Sequence, residues 1–153
     1  MKKIMIVDDN YLSAEGIEKN IDWETLNAEI IHVCYNGTSA IEAMKKEPVD
    51  LIISDIEMPD LDGISMSRQA LEINPMVKII LISAYDKFEY ARRALLLGAL
   101  DYIEKPLDYA YLIQKVKNAF ALMEKEQKNL QLLKQSRPLL TEKFFREITH
   151  LPS

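Results

Sequence analysis

The chain has 153 residues, of which 48% are hydrophobic and 28% charged, and this length predicts one compact domain with room for a short tail. The balanced composition excludes the collagen-like, low-complexity and intrinsically disordered classes. Lys and Arg number 19 against 24 Asp and Glu, and the net charge of −5 argues against binding of nucleic acid or anionic lipid by this stretch alone.

The amino terminus and the single cysteine indicate where the protein works. Asp8 and Asp9 interrupt the first apolar run, which argues against a signal peptide and against a membrane span. Cys34 has no second cysteine with which to form an internal disulfide. We therefore expect a reducing, cytoplasmic location.

Five short apolar runs recur along the chain, separated by stretches long enough for helices. The predicted strands cover residues 4–7, 30–34, 51–53, 79–82 and the weaker 100–103. Continuous apolar runs are typical of strands that are covered on both faces, and alternation of strands with helices predicts a parallel sheet. The sequence thus predicts an α/β fold with five β/α units in one doubly wound sheet.

Turn and cap residues mark the ends of the predicted helices. The clearest helical patterns span residues 37–46 and 87–97. Asn36 and Gly37 turn the second strand into the second helix, and Pro48 ends that helix. Gly98 is expected to cap the fourth helix at its carboxyl end.

The last helical pattern begins at Tyr109 and runs to about Gln135, which is longer than a fifth covering helix requires. Its apolar residues follow an alternating spacing of four and three, and they resemble a coiled-coil seam: Leu112, Val116, Ala119, Met123, Leu130 and Leu133, with Glu126 at the one polar seam position. A helix that packs on the sheet in its first half and is a solvated linker in its second half explains the pattern equally well. Pro138 should end this helix.

Polar residues follow the predicted strands at the sheet edge where parallel α/β folds bind ligands. They are Asp8 and Asp9 after the first strand, Asp55 after the third, Ser83 after the fourth, and Lys105 with Pro106 after the fifth. Three nearby carboxylates repel one another, and Mg²⁺ compensates such a cluster, prefers carboxylate oxygens and commonly shares its shell with a phosphate. With the point charge of Lys105, the set indicates phosphoryl chemistry on or near a carboxylate.

Taken singly, each of these polar residues also fits an ordinary structural role. A lone Asp after a strand is commonly the N-cap of the next helix, and Asp9 or Asn10 could serve as that cap. Ser83 is compatible with a simple turn, and Lys105 with a solvated charge. The first turn, residues 8–13, is acidic and lacks glycine, which argues against a nucleotide or flavin binder.

An enzyme is a further alternative, in the form of a hydrolase with an aspartyl nucleophile. Such an enzyme would place its nucleophile at the end of the first strand, with a second acid two residues later. Asp55 and Glu57 have that spacing but belong to the third strand. A hydrolase of this class is therefore disfavoured.

The order of the motifs resembles the receiver domain of two-component response regulators over residues 2–123. The motifs that carry the resemblance are Asp8-Asp9, Asp55-Ile56-Glu57-Met58-Pro59-Asp60-Leu61-Asp62-Gly63, Ser83-Ala84 and Lys105-Pro106. Residues 20–23, 83–91 and 98–102, together with the long last helix and residues 139–145, resemble the subgroup whose receivers precede an AraC-type helix-turn-helix domain. The resemblance implies a flavodoxin-like sheet of strand order 2-1-3-4-5 with an extended C-terminal helix.

The resemblance also implies how the acids act. Asp55 would accept a phosphoryl group from a sensor histidine kinase and form an acyl phosphate. Asp9, Asp55 and the backbone carbonyl of Glu57 would ligate Mg²⁺ directly, and Asp8 would act through a water. The chain would then be a phosphoryl acceptor with at most self-directed phosphotransfer and slow autodephosphorylation, rather than an enzyme.

A switch is implied for the residues around the phosphoryl group. Lys105 would pair with that group, and Pro106 would be a cis proline that aims Lys105 into the pocket. The hydroxyl of Ser83 would move to the phosphoryl group and the ring of Tyr102 would turn inward, although periodicity alone favours a half-buried strand aromatic at Tyr102. We also hypothesise that Tyr85 shields the acyl phosphate and slows its hydrolysis.

The predicted organisation has three parts. Residues 1–123 form the receiver, residues 124–137 a helical linker or coiled coil, and residues 138–153 the start of a region that this chain lacks. The implied partners are a sensor histidine kinase, a second copy that binds through the last helix or the switch face, and DNA only through a downstream domain, with no membrane. A stand-alone receiver that signals by protein contact is the alternative.

Overall fold

The computed structural model describes residues 1–84 and 88–136. Strands and helices alternate along the chain as the sequence predicts: β1 (Lys2–Val7), α1 (Tyr11–Asn20), β2 (Ala28–Cys34), α2 (Gly37–Lys46), β3 (Leu51–Asp55), α3 (Gly63–Ile73), β4 (Lys78–Ser83), α4 (Phe88–Leu97), β5 (Asp101–Glu104) and α5 (Tyr109–Ser136). The hypothesis on Tyr85 and the predictions for residues 138–153 fall outside the described residues.

The five strands form one parallel sheet in the order β2-β1-β3-β4-β5. This order confirms the predicted doubly wound, flavodoxin-like sheet. All five residues of β3 are buried at its centre, which is why this part of the sequence shows a continuous apolar run. Because β1 and β3 are neighbours, Val7 pairs with Ser54, and the residues that follow these two positions lie side by side.

Helices cover both faces of the sheet. Successive side chains of β3 point to opposite faces, so neighbouring residues of this strand belong to different parts of the core. Ile52 belongs to a buried cluster that also contains Ile41 and Met44 of α2 and Ile64 and Met66 of α3. Ile53 is fully buried but is not a member of that cluster. Burial of each such side chain contributes roughly 1.5–3 kcal/mol to the stability of the fold.

Four of the observed strands, β1 to β4, are longer than predicted because backbone pairing continues beyond the apolar runs, and β5 has the predicted length but is shifted by one residue. β2 begins at Ala28 rather than residue 30, and β1 begins at Lys2. β3 extends to Asp55, which pairs in register with Ile82, and β4 extends to Ser83. Asp55 and Ser83 are therefore the last residues of their strands, not residues that follow them.

The long last helix is present as α5, which has 28 residues. Contacts divide the chain into two compact units, Met1–Ala119 and Phe120–Ser153. In the first unit Leu112 and Val116 are fully buried, and in the described part of the second unit Leu130 and Leu133 are exposed. The coiled coil and the solvated linker both stay predictions, as do the domain boundaries at residues 123 and 137. Within residues 1–84 and 88–136, no helix has the length and apolar character that crossing a membrane requires.

Candidate functional site

Three acids converge at the carboxyl ends of β1 and β3. One carboxylate oxygen from each of Asp8, Asp9 and Asp55 lies within 4.8 Å of the other two. Asp8 and Asp55 are only 2% and 7% exposed, whereas Asp9 is exposed. The cluster follows from the sheet order, because neighbouring parallel strands end at the same edge.

Lys105 brings positive charge to the cluster from the loop after β5. Its Nζ lies 3.5 Å from an oxygen of Asp8 and 3.5 Å from an oxygen of Asp55. The backbone N–H of Lys105 donates to the Ser83 carbonyl (2.8 Å), and the Lys105–Pro106 peptide bond is cis. One ammonium does not balance three carboxylates, so the site keeps an excess of negative charge.

The turn after β1 leaves Asp8 and Asp9 available for the site, because Asn10 caps α1. The Asn10 side chain accepts hydrogen bonds from the N–H groups of Leu12 (2.9 Å) and Ser13 (3.2 Å). Asp8 accepts from the Asn10 N–H (2.9 Å). Of the two predicted cap candidates, Asn10 is the residue that acts as the N-cap.

Burial and nearby negative charge raise the pKa values of Asp8 and Asp55. Desolvation, followed by the charge of Asp8, raises the pKa of Asp55 from 3.8 to about 6, and the charge of Lys105 acts in the opposite direction. Desolvation also raises the pKa of Asp8, against the Asn10 hydrogen bond and Lys105. A site with this charge excess favours an additional cation, and carboxylate oxygens are ligands that a hard divalent ion accepts.

The Lys105 ammonium should therefore control the ionisation of Asp55. In Lys105→Ala we expect the pKa of Asp55 to rise above about 6, because the attraction that lowers it is lost. Carboxyl NMR titration of the metal-free protein measures this shift. Lys3→Ala is the matched control, since Lys3 pairs with Glu47 at the amino end of β1. An unchanged Asp55 titration in Lys105→Ala would show that the 3.5 Å contacts carry little energy.

The predicted switch residues lie on β4, which neighbours β3, and on β5, which is the edge strand beyond β4. Ser83 is fully buried as the last residue of β4 and pairs in register with Glu104 of β5. Tyr102 is half-buried on β5, opposite Leu81, and packs against the core cluster. This burial of Tyr102 matches the state that strand periodicity favours.

Asp60, to which the sequence analysis assigned no role, links the loop after β3 to the start of α2 by hydrogen bonds. Asp60 accepts hydrogen bonds from the N–H groups of Gly37 (3.3 Å) and Thr38 (3.2 Å) and from the Thr38 hydroxyl (2.6 Å). These bonds, led by the one from the hydroxyl, lower the pKa of Asp60 to about 2. The sequence shows a threonine in the first turn of α2 and an aspartate in the loop after β3. Only the fold shows that Thr38 and Asp60 are hydrogen-bonded to each other.

Glu57 was singled out for its backbone carbonyl, but its side chain is also unusual. In the described structure its Oε1 atom is buried and has no hydrogen-bond partner. The position of Glu57 in the motif predicts a side chain near the mouth of the pocket that repels the phosphoryl group or orients water, but not the burial of this atom, since an acid in a loop is ordinarily solvated.

Comparison with known proteins agrees with this fold. The profile of the response regulator receiver domain family matches residues 4–117. Among curated proteins, the transcriptional regulatory protein YesN of Bacillus subtilis is 29% identical over 126 residues, which cover 82% of this chain and 34% of YesN. The chain thus spans only about a third of the length of that relative.

Solved structures are similar over nearly their whole length. The REC domain of AraT, a response regulator from Geobacillus stearothermophilus, matches with a TM-score of 0.77 and 35% identity, over 82% of this chain and 98% of that chain. A two component transcriptional regulator AraC from Clostridium phytofermentans matches with a TM-score of 0.74 and 30% identity, over 84% and 99%. A CheX-CheY-BeF3-Mg complex from Borrelia burgdorferi matches with a TM-score of 0.71 and 29% identity, over 78% and 89%. The chain therefore belongs to the response regulator receiver domain family, and these relatives support the predicted AraC-type subgroup.

Proposed function

We propose that this chain accepts a phosphoryl group on Asp55 from a sensor histidine kinase, with Mg²⁺ as cofactor. The observation that carries the proposal is the cluster of Asp8, Asp9 and Asp55, whose oxygens lie within 4.8 Å of one another beside the Lys105 ammonium. An ionised carboxylate in such a cluster is a nucleophile, and the nearby charges suit an incoming phosphoryl group only when a cation offsets them.

The donor set fits Mg²⁺. The proposed ligands are carboxylate oxygens of Asp9 and Asp55 and the backbone carbonyl of Glu57, with Asp8 acting through a water. Bound Mg²⁺ supplies positive charge that offsets the carboxylates and the phosphoryl oxygens. The similarity to CheY in a complex that contains BeF3 and Mg supports this assignment, as does the excess of negative charge at the site.

Each proposed step uses a group of this chain. The Asp55 carboxylate forms a bond to phosphorus while the bond from phosphorus to the donor histidine nitrogen breaks, which leaves an acyl phosphate and a free imidazole. Lys105 then pairs with phosphoryl oxygens, and Pro106 fixes the direction of the Lys105 side chain. The acceptor is altered by its own reaction, so we expect no sustained turnover of small phosphomonoesters.

The proposed response to phosphorylation involves Ser83 and Tyr102. The modification adds about −1.5 to −2 charges and new acceptor oxygens, and we propose that the hydroxyl of Ser83, the last residue of β4, donates to one of these oxygens. We propose that Tyr102 then turns inward and that the surface around α4 and β5 repacks. The output is proposed to be transcriptional, through an AraC-type DNA-binding domain downstream of residues 138–153, with dimers formed by α5 or by the switch face. Cys34, a free and buried thiol, is in keeping with a cytoplasmic setting.

A phosphorylation assay tests the proposal. The chain is incubated with Mg²⁺ and acetyl phosphate, and its intact mass is measured. We expect a gain of one phosphoryl group that does not occur when EDTA is present before the donor is added, and sedimentation of the same samples reports association. No gain in the presence of both Mg²⁺ and donor, or a gain that is unaffected by EDTA, would contradict the proposed function.

A further inference from the structure

The side chain of Glu57 poses a problem that the proposed phosphoacceptor function does not solve. Its Oε1 atom is shielded from solvent and lacks a hydrogen-bond partner within the described part of the chain. A carboxylate oxygen in that situation loses its hydration without any bond in return, and such atoms are rare in native folds. A bound water or ion is one of the partners that account for an unpaired buried oxygen.

The backbone after β3 directs Glu57 to the same side as Asp55. Ile52, Ile56 and Met58 all belong to one core cluster, and the buried Ile53 is outside it. The N–H of Ile56 donates to the Ile82 carbonyl (2.9 Å), so the backbone of Ile56 still lies beside β4. Because side chains alternate along an extended backbone, positions 53, 55 and 57 face away from the cluster.

The distances favour an indirect contact between Glu57 and the proposed ion. Among the described residues, the group of acids with oxygens mutually within 4.8 Å contains Asp8, Asp9 and Asp55 but not Glu57. Mg²⁺ keeps several waters when it binds protein carboxylates, and each of those waters has hydrogens to donate. A carboxylate on the same side that is not itself a ligand can accept a hydrogen bond from such a water.

We propose that the Glu57 carboxylate is a positioning residue of the metal site, and that its Oε1 accepts a hydrogen bond from a water in the hydration shell of Mg²⁺. This inference rests on the Mg²⁺ site of the proposed function. It assigns Glu57 two contributions, a direct one through its backbone carbonyl and an indirect one through its side chain. Binding of the ion then relieves the unpaired oxygen, so ion binding and fold stability are coupled through Glu57.

Magnesium affinity measured in side-chain variants tests the inference. Isothermal titration calorimetry with MgCl₂ gives the affinity, and thermal unfolding in EDTA and in Mg²⁺ gives the stabilisation by the ion. In Glu57→Ala we expect Mg²⁺ affinity to fall about tenfold, as is usual when an outer-shell acceptor is lost. We expect the melting temperature in EDTA to stay the same or rise, and the Mg²⁺-induced increase to shrink.

Two further variants sharpen the comparison. Glu57→Gln keeps an oxygen acceptor but loses the charge, so its loss of affinity should be smaller than that of Glu57→Ala. Glu72→Ala removes the same charge from an exposed position on the last turn of α3, at the far end of the sheet, and should leave Mg²⁺ affinity unchanged.

The outcomes separate this inference from the proposed function. If the wild-type chain binds Mg²⁺ and Glu57→Ala binds it equally well, the inference is wrong while the proposed site stands. A lower melting temperature of Glu57→Ala in EDTA with unchanged affinity has the same meaning, because it indicates a purely structural role. If the wild-type chain binds no Mg²⁺, the proposed site itself fails. A loss of affinity in Glu57→Ala and in Glu72→Ala alike would also overturn the inference, since net charge would then explain it.

Discussion

Asp55→Asn is expected to abolish the gain of a phosphoryl group and, at the same time, to stabilise the metal-free protein at neutral pH. Asparagine keeps the size of the side chain but cannot form the acyl phosphate. The wild-type carboxylate is buried beside Asp8, and its pKa is raised from 3.8 to about 6. A rise of this size corresponds to about 3 kcal/mol that the folded protein loses when Asp55 ionises, and the amide avoids that loss.

The stabilisation should depend on pH in a defined direction. Between about pH 4 and pH 6 the folded state binds more protons at Asp55 than the unfolded state does, so wild-type stability falls as the pH rises through this window. Asp55→Asn lacks this titration. The difference in unfolding free energy between the two proteins should therefore be small near pH 4 and reach its full value above about pH 6. Urea denaturation in EDTA across this range measures it.

Asp108→Asn is the matched control for this exchange. Asp108 accepts from the N–H groups of Ala110 (2.9 Å) and Tyr111 (3.3 Å) at the start of α5, a role that Asn fills about as well. The control should keep both the phosphoryl gain and the wild-type stability. Phosphoryl transfer to Asp55→Asn would mean that another residue is the acceptor. Equal stability of Asp55→Asn and wild type at neutral pH would mean that ionisation of Asp55 does not destabilise the folded protein.

The gathering of the acids could be predicted from sequence because it depends on topology alone. Apolar runs identify the strands, parallel strands share an edge, and the polar residues that follow them must meet there. The end of β3 was harder to predict. Ser54 and Asp55 break the apolar run, yet both are buried and paired with β4, and the Ser54 hydroxyl donates to the Asp55 carbonyl (2.9 Å).

Features that depend on backbone angles or close approach were not accessible from the sequence. Asp9 and Asn10 are both good N-caps, and the hydrogen bonds that the Asn10 side chain accepts from Leu12 and Ser13 decide between them. The unpaired oxygen of Glu57 depends on what surrounds it in the fold. The attachment of Asp60 to Thr38 joins residues that are 22 positions apart, and no local pattern encodes such a bond.

Gly63→Ala is expected to damage both the fold and the site, because a side chain at position 63 would collide with the strand end that carries Asp55. A Cβ atom there would overlap the backbone oxygen of Asp55 and would lie 3.0 Å from its carbonyl carbon and from the Cα of Ile56. The Gly63 N–H also donates to the Ile56 carbonyl (2.8 Å). Only backbone movement relieves this overlap, so we expect a loss of about 3 kcal/mol in unfolding free energy.

Gly16→Ala separates this collision from the general effect of filling a glycine. A Cβ at Gly16 would meet the hydroxyl of Tyr109, the far end of a side chain that can rotate away, and alanine is favoured over glycine within a helix by about 1 kcal/mol. Gly16→Ala should therefore stay close to wild type in urea denaturation and keep its phosphoryl gain. Gly63→Ala should lose stability and, under conditions where it is still folded, accept the phosphoryl group more slowly, because its shifted backbone moves Asp55 relative to Asp9 and Lys105. Equal stability of the two variants would mean that the backbone at the end of β3 can move to accommodate the Cβ atom at little cost in free energy. The position of Asp55 would then not be fixed by its backbone.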